Sequence, residues 1–340
     1  MLINRSIQTF HRPASRFRLS SPSITHRLLT SGPGNSELVI SPKDLQSLVQ
    51  SDEQAVSIVD TTWFMPNSSR KSAEEFFKQR IPGSQFLDLD KVASSHPLGL
   101  KHMMPSAQTF AQACGSMGIR PDSHVVLYDT HGVFSSPRAL FMFKAFGHQF
   151  VSVLNGGLPR WATEGYKIDA NPPATIPSVS YPTPSVSSGV TRDYEFMVSN
   201  ARLDAKGDPT SSIVLDARPK GRFLGTDAEP RPEIRSGHMP NSVSLPFNAF
   251  LETRDGKDGA KYTVIRPREE IQSVLEDALG ADLVQDIIDG QRSVTTTCGS
   301  GMTAGVLWLG LKLLGAKHIS LYDESWTGYA DPSRKSNIVA

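Results

Sequence analysis

Short β-branched runs alternate with stretches of helical periodicity along most of this chain. "VSIVD" at 56–60, "HVVLY" at 124–128, "SIVLD" at 212–216 and "SVTTT" at 293–297 are strand-length apolar or β-branched runs. Between them lie helical patterns. "SPKDLQSLVQ" (41–50) opens with Ser41 as a cap and a proline in the first turn. "SAEEFFKQR" (72–80) starts with a serine cap and two acids, and "SAQTFAQACGSMGI" (106–119) ends in glycines. "RPREEIQSVLEDALG" (266–280) is its counterpart further on. "AGVLWLGLKLLG" places Leu307, Leu311 and Leu314 at i, i+4 and i+7. Alternating strands and helices predict an α/β fold, with parallel sheets covered by helices on both faces.

The pattern also repeats. "VSIVDTTW" (56–63) matches "SSIVLDAR" (211–218), and "RIPGSQFLDLD" (80–90) matches "GHMPNSVSLPF" (237–247). "HVVLYDTHG" (124–132) matches "RSVTTTCGSG" (292–301), and "FVSVLNGGLPRW" (150–161) matches "HISLYDESWTGY" (318–329). The order is the same in both halves, at offsets of about 156 to 169 residues, which predicts two tandem domains. Residues 171–190 hold five prolines and no charge, a composition that excludes a helix interior or central strand and suits an extended linker. The expected domains are 37–170 and 191–340.

Composition narrows the function classes. The 340 residues suffice for two cores, and the formal net charge of +1 offers no electrostatic basis for nucleic-acid binding. No run of 18 apolar residues predicts a membrane span, and two cysteines suggest a reducing compartment. Residues 1–36 contain five arginines, many serines and no acid, which predicts a mitochondrial presequence. A cytoplasmic form is compatible with the rest of the chain. Removing the segment would change the net charge to −4.

One cysteine stands where chemistry is expected. Cys298 falls between the strand "SVTTT" and a long helix, followed by Gly299 and Gly301. Such a turn directs backbone N–H groups inward, and the helix adds its positive end. Both stabilise an anion, so Cys298 reads as a nucleophile. Cys114, on an amphipathic helix, reads as packing. The spacing Gly299-x-Gly301-x-x-x-Gly305 loosely imitates a dinucleotide fingerprint, but only 17 residues follow Asp323. No Gly-Lys-Ser/Thr follows for a P-loop, and Ala304 stands where a cysteine phosphatase needs arginine. Neither cysteine has a metal-ligand partner at suitable spacing.

"CGSGMTAG" at the loop resembles the active-site loop of the mercaptopyruvate sulfurtransferases in the rhodanese superfamily. "DARPKGRFLGTDAEPR" (216–231) and "SGHMPNSVSLPF" (236–247) resemble further family motifs, and "LYDTHGVFSSPRALFMFKAFGH" and "VLNGGLPRW" resemble its non-catalytic first domain. The resemblance covers about residues 37–330. It implies two rhodanese domains, catalysis in the second, a persulfide on Cys298 and no cofactor or metal. The thiosulfate-using branch has a cationic Cys-Arg-Lys-Gly-Val-Thr loop. Here Cys298-Gly299-Ser300-Gly301-Met302-Thr303 carries no cation, with Met302 in place of the more usual valine. Gly299, Gly301, Met302 and Thr303 are then expected to line the substrate.

The same resemblance implies that Arg222 and Arg231 hold the substrate's carboxylate and keto oxygen, whereas Arg218 and Arg235 default to the surface. It also implies a Ser300–His102–Asp90 relay across the domain interface. The stretch before His102 is one residue longer than expected, which leaves Asp88 as the alternative carboxylate. His96 and His131 read as loop and interface residues, and Glu324 replaces the usual glycine without evident chemical consequence. The implied activity moves sulfur from 3-mercaptopyruvate to a thiol such as thioredoxin, or to cyanide. A thiosulfate sulfurtransferase and a persulfide carrier, for example in tRNA thiolation, are the alternatives.

Overall fold

The computed structural model describes residues 37–340 except positions 52 and 206, so the expected presequence lies outside the described residues. The repeat seen in the sequence becomes two five-stranded parallel sheets with the same strand order. The first uses β1 (Val39–Ile40), β2 (Val56–Asp60), β3 (Gln85–Phe86), β4 (His124–Tyr128) and β5 (Val151–Leu154), ordered β1-β5-β4-β2-β3. The second uses β6 (Thr191–Arg192), β7 (Ser212–Asp216), β8 (Ser242–Ser244), β11 (Ser293–Thr297) and β12 (Ile319–Tyr322), ordered β6-β12-β11-β7-β8. Between β8 and β11, β9 (Leu251–Asp255) and β10 (Lys261–Ile265) form a separate antiparallel hairpin.

Helices α1 (Pro42–Ser51), α2 (Ser72–Lys78), α3 (Ala107–Ser116), α4 (Ser136–Ala145) and α5 (Gly157–Thr163) flank the first sheet. The second has α6 (Tyr194–Asn200), α7 (Lys220–Phe223), α8 (Arg268–Leu279), α9 (Ala281–Asp289), α10 (Ala304–Leu314) and α11 (Ser325–Tyr329). Helix starts follow local chemistry. Ser41 and Asp44 cap α1 reciprocally: Asp44 N–H donates to Ser41 Oγ at 3.2 Å, and Ser41 N–H to Asp44 Oδ2 at 2.9 Å. Ser106 caps α3 through Thr109 N–H. The expected serine cap of α2 is not found: Lys71 holds that position without a side-chain bond, because Ser72 is already helical.

The centre of the molecule is the contact between α4 and α10, one from each half. Phe141 meets Trp308 edge-on at 5.4 Å, and both helices belong to one continuous apolar cluster. Leu307 and Leu311 are fully buried there, each contributing about 1.5–3 kcal/mol of transfer free energy. A Cβ at Gly305 would lie 2.7 Å from Arg138 N, so only glycine permits this approach at the two helix starts.

The segment 171–190 is extended, and it is bound to the first half. Val179 N–H donates to Gly115 O and Ser187 N–H to Ala145 O, both at 3.0 Å. The Tyr181 ring packs edge-on against Phe110, and its hydroxyl meets His148 Nδ1 at 2.9 Å.

Candidate active site

Strand register makes the two loops directly comparable. Tyr128 pairs with Asp60 and Thr297 with Asp216, so Asp129 and Cys298 are equivalent: each is the first residue after the central strand. Asp129 is fully buried. Its Oδ1 accepts the N–H groups of His131 and Gly132 at 2.9 and 3.0 Å. Its Oδ2 accepts those of Phe134, Ser135 and Ser136 at 2.9–3.0 Å, together with the Ser136 hydroxyl at 2.8 Å. The loop shape is therefore an anion cradle, filled in the first half by the chain's own carboxylate.

In the second half the cradle surrounds a free thiol. Cys298 is 2% exposed and unpaired. This loop is one residue shorter than the Asp129 loop, six residues before α10 against seven before α4; the N–H groups of Ser300, Gly301 and Thr303 in it make no hydrogen bond among the described residues. Cys298 itself is fixed from behind: its N–H donates to Ser325 Oγ at 3.2 Å, and its carbonyl accepts Trp326 N–H at 2.8 Å. Ser325 adopts φ 53°, a left-handed conformation costly for a residue with a Cβ. Cys114 is fully buried on α3, away from the loop, and burial pushes its thiol pKa well up.

The first half reaches over this loop through residues 90–104. His102 is 4% exposed, at φ 63°, and its ring lies edge-on to Trp63 at 4.7 Å. Its Nδ1 lies 2.5 Å from Asp90 Oδ1, while Trp63 Nε1 donates to Asp90 Oδ2 at 3.1 Å. Burial raises the Asp90 pKa, but the close approach and charge of His102, with the Trp63 hydrogen bond and the Lys101 charge, outweigh it and the net shift is downward. Asp88 turns away to accept the N–H groups of Asp90 and Lys91, so Asp90 is the carboxylate at His102. The expected link from His102 to Ser300 is not made: Ser300 has no side-chain hydrogen bond among the described residues, and His102 Nε2 is buried without a partner. Ser300 instead opens onto a neighbouring cleft of about 340 Å³, also lined by Arg231, Lys101, Glu233, Glu324 and Asp331.

Arg231 and Arg222 lie in the segment 216–237, and neither guanidinium is paired with a carboxylate among the described residues. Arg231 lines the cleft with Ser300, whereas Arg222 sits on α7 and its carbonyl accepts Gly237 N–H at 2.9 Å. The surface assignment of Arg218 is corrected. It is 2% exposed, paired with Asp216 at 2.6 Å and Glu229 at 2.8 Å, and lies over the Trp326 ring at 4.1 Å. Two carboxylates compensate its charge, which lets it sit in the core and hold the loop that carries the other two arginines. Arg235 is exposed. Glu324 does have partners: it pairs with Arg334 and lies 3.7 Å from His96 Nε2.

Residues outside the expected set hold the halves in register. Arg138 is buried and donates to Asp323 Oδ1 and the His102 carbonyl, both at 2.6 Å. Asp323 Oδ2 accepts Met104 N–H at 2.7 Å. On the opposite side, hairpin β9–β10 docks on the Asp129 loop: Thr263 N–H donates to His131 O at 3.1 Å, and Ile265 N–H to Asn155 Oδ1 at 2.9 Å. A Cβ at Gly132 would lie 2.2 Å from Thr263 O, so this loop needs glycine as well. His131 itself packs between Phe64 and Phe134.

Comparison with known proteins agrees with this geometry. Residues 41–164 and 199–332 each match the Rhodanese-like domain. A "Probable 3-mercaptopyruvate sulfurtransferase" of Schizosaccharomyces pombe is 33% identical over 295 residues, covering 87% of this chain and 93% of that one. "Thiosulfate/3-mercaptopyruvate sulfurtransferase 1, mitochondrial" of Arabidopsis thaliana is 33% identical over 318 residues, covering 88% of this chain and 78% of its own. The crystal structure of the Tum1 protein from Saccharomyces cerevisiae superposes with a TM-score of 0.75 at 29% identity, covering 89% of this chain and 97% of that one. Duplicated sheets, a cysteine at the mouth of one anion cradle and these relatives converge on one conclusion: the chain belongs to the rhodanese family and is a sulfurtransferase enzyme.

Proposed function

We propose that the enzyme takes sulfur from 3-mercaptopyruvate through a persulfide on Cys298 and passes it to an acceptor thiol. The observation that carries this is the pair of equivalent loops. Where Asp129 gathers five N–H groups and a hydroxyl around a negative charge, Cys298 heads the corresponding, one-residue-shorter loop with N–H groups left over. The thiolate attacks the substrate sulfur; the C–S bond breaks with its electron pair going to carbon, giving Cys298–S–SH and the pyruvate enolate. A proton then converts the enolate to pyruvate. Ser300, at the cleft beside the loop, is the proposed hydroxyl for that transfer, with His102 and Asp90 as the proton source once substrate brings them into line. The unpaired guanidinium groups of Arg222 and Arg231 suit a 2-oxo carboxylate. Gly299, Gly301, Met302 and Thr303 complete the loop around the reacting sulfur.

The absence of a cation in the loop disfavours a dianion such as thiosulfate. In the second half-reaction an acceptor thiolate, thioredoxin being the candidate, removes the outer sulfur, so ping-pong kinetics follow. Nucleic acid and membrane have no place in this scheme; no described helix is long and apolar enough to cross a membrane. The proposed location is mitochondrial.

Intact-mass spectrometry after brief mixing with 3-mercaptopyruvate tests the scheme. The expected result is a gain of about one sulfur atom on Cys298, absent in Cys298→Ser. Loading mainly from thiosulfate would replace the donor assignment. No loading from either donor would leave a carrier charged by a protein partner.

A further inference from the structure

The ends of α4 and α10 remote from the cysteine loop form a second site. A cleft of about 400 Å³ opens there along the seam between the halves, with the half-buried Leu38 and Val190 as apolar wall and the buried Phe141, Trp308 and Ile319 also among its lining. Two lysines complete it: Lys144 in the last turn of α4 and Lys312 in the last turn of α10. They are repeat-related, each three residues before a left-handed glycine, Gly147 and Gly315. At 1.5 Å rise per residue, Lys312 lies about 12 Å along α10 from the start of the helix, so the cleft is separate from the sulfur-transfer site.

Both lysines are half-buried, and neither has a carboxylate within ion-pair distance among the described residues. Lys144 Nζ donates to the Gln149 carbonyl at 2.5 Å. Lys312 Nζ lies 5.5 Å from the Trp308 ring centre. Burial lowers the pKa of each ammonium, and for Lys144 the charge of Lys312 lowers it further. Attraction to the helix C-termini accounts for lysines in the last turns, but not for two of them facing one apolar cleft. Residues 1–36 cannot supply the missing negative charge, since they carry five arginines and no acid.

We propose that this cleft binds an amphiphilic organic anion, an apolar body bearing a phosphate-type dianionic head. The body lies against Leu38 and Val190, and the head lies between Lys144 and Lys312. The volume falls within the range of small-molecule sites, and paired ammonium groups match a doubly charged head.

Calorimetric titration of the full-length protein with 1-naphthyl phosphate tests this, with 1-naphthol and inorganic phosphate as separate arms. One saturable site is expected, with each fragment binding at least about tenfold more weakly and Lys144→Gln/Lys312→Gln weakening the intact probe by a similar factor. Failure to saturate overturns the proposal. So does undiminished binding in the double variant, which would place the anion elsewhere, or inorganic phosphate binding as tightly as the naphthyl ester. Should the double variant fail to fold, competitive acetylation of the wild-type protein, read by peptide mass spectrometry, decides. Naphthyl phosphate must slow labelling of Lys144 and Lys312 and leave the other lysines unchanged; equal labelling with and without it overturns the site.

Discussion

A single carboxylate explains much of what the first half does. Asp129 fills its own cradle, so that loop can bind no external anion and serves as a docking platform for the hairpin. Replacing it by alanine strands several buried N–H groups at once. Asp129→Ala should therefore lose about 3 kcal/mol or more of stability in a denaturant titration. At Cys298 the same scaffold is left open, and the charge it must hold arrives with the reaction. The substrate arginines act at this scale too. Arg222→Ala and Arg231→Ala should each raise KM for mercaptopyruvate by about tenfold or more, the loss expected for a charge-assisted bond. An equal rise for thiosulfate in steady-state assays would reject their role in holding the 2-oxo carboxylate. Arg218 carries the contrasting lesson. "DARPK" holds one of its partners, Asp216, but does not announce burial, because the second compensating carboxylate, Glu229, lies 11 residues on.

Among the elements, the α4–α10 contact sets the geometry of the site. Arg138 starts one helix and the cysteine loop feeds the other, so a small change in their separation moves both. Gly305→Ala would press a methyl group onto the Arg138 backbone. The expected cost is about 1–3 kcal/mol, together with a fall in kcat, because Arg138 also holds the His102 carbonyl and Asp323. Differential calorimetry and turnover on one preparation would show both; an unchanged kcat would mean that the loop does not depend on this packing. The hairpin β9–β10 was the element least legible in the sequence. Its first strand, β9, is short, charged and largely exposed, so it carries little apolar alternation, although β10 is mostly buried. The repeat comparison offers no strand to match them, since the equivalent stretch of the first half is the irregular 90–104 loop. Helix α9 was likewise not anticipated.

For the whole molecule, each half completes the site or the packing of the other, and stability is shared across the seam. Buried histidines make that stability pH-dependent. His124, in β4, has its pKa lowered from 6.5 to about 4, mainly by burial and further by the charges of His148 and Lys144. Between those values the unfolded chain binds a proton that the folded chain refuses. Stability is thus fully present above about pH 6.5 and is lost as pH falls toward 4. The melting temperature should fall over that window, and His124→Gln, which can keep the bond to Ser152, should flatten the slope. A slope unchanged in that variant would assign the acid sensitivity to other groups.

The tandem α/β architecture, the extended 171–190 segment and the cysteine loop are legible along the chain, because each rests on local periodicity, turn chemistry or an internal repeat. The pairing of Arg138 with Asp323, 185 residues apart, the choice of Asp90 over Asp88 at His102 and the burial of Arg218 were decided only by tertiary structure. So was the outward turn of Ser300 toward the cleft. Periodicity encodes which face of an element is buried, but a charge's partner depends on which distant elements the fold brings together, and no local pattern carries that information.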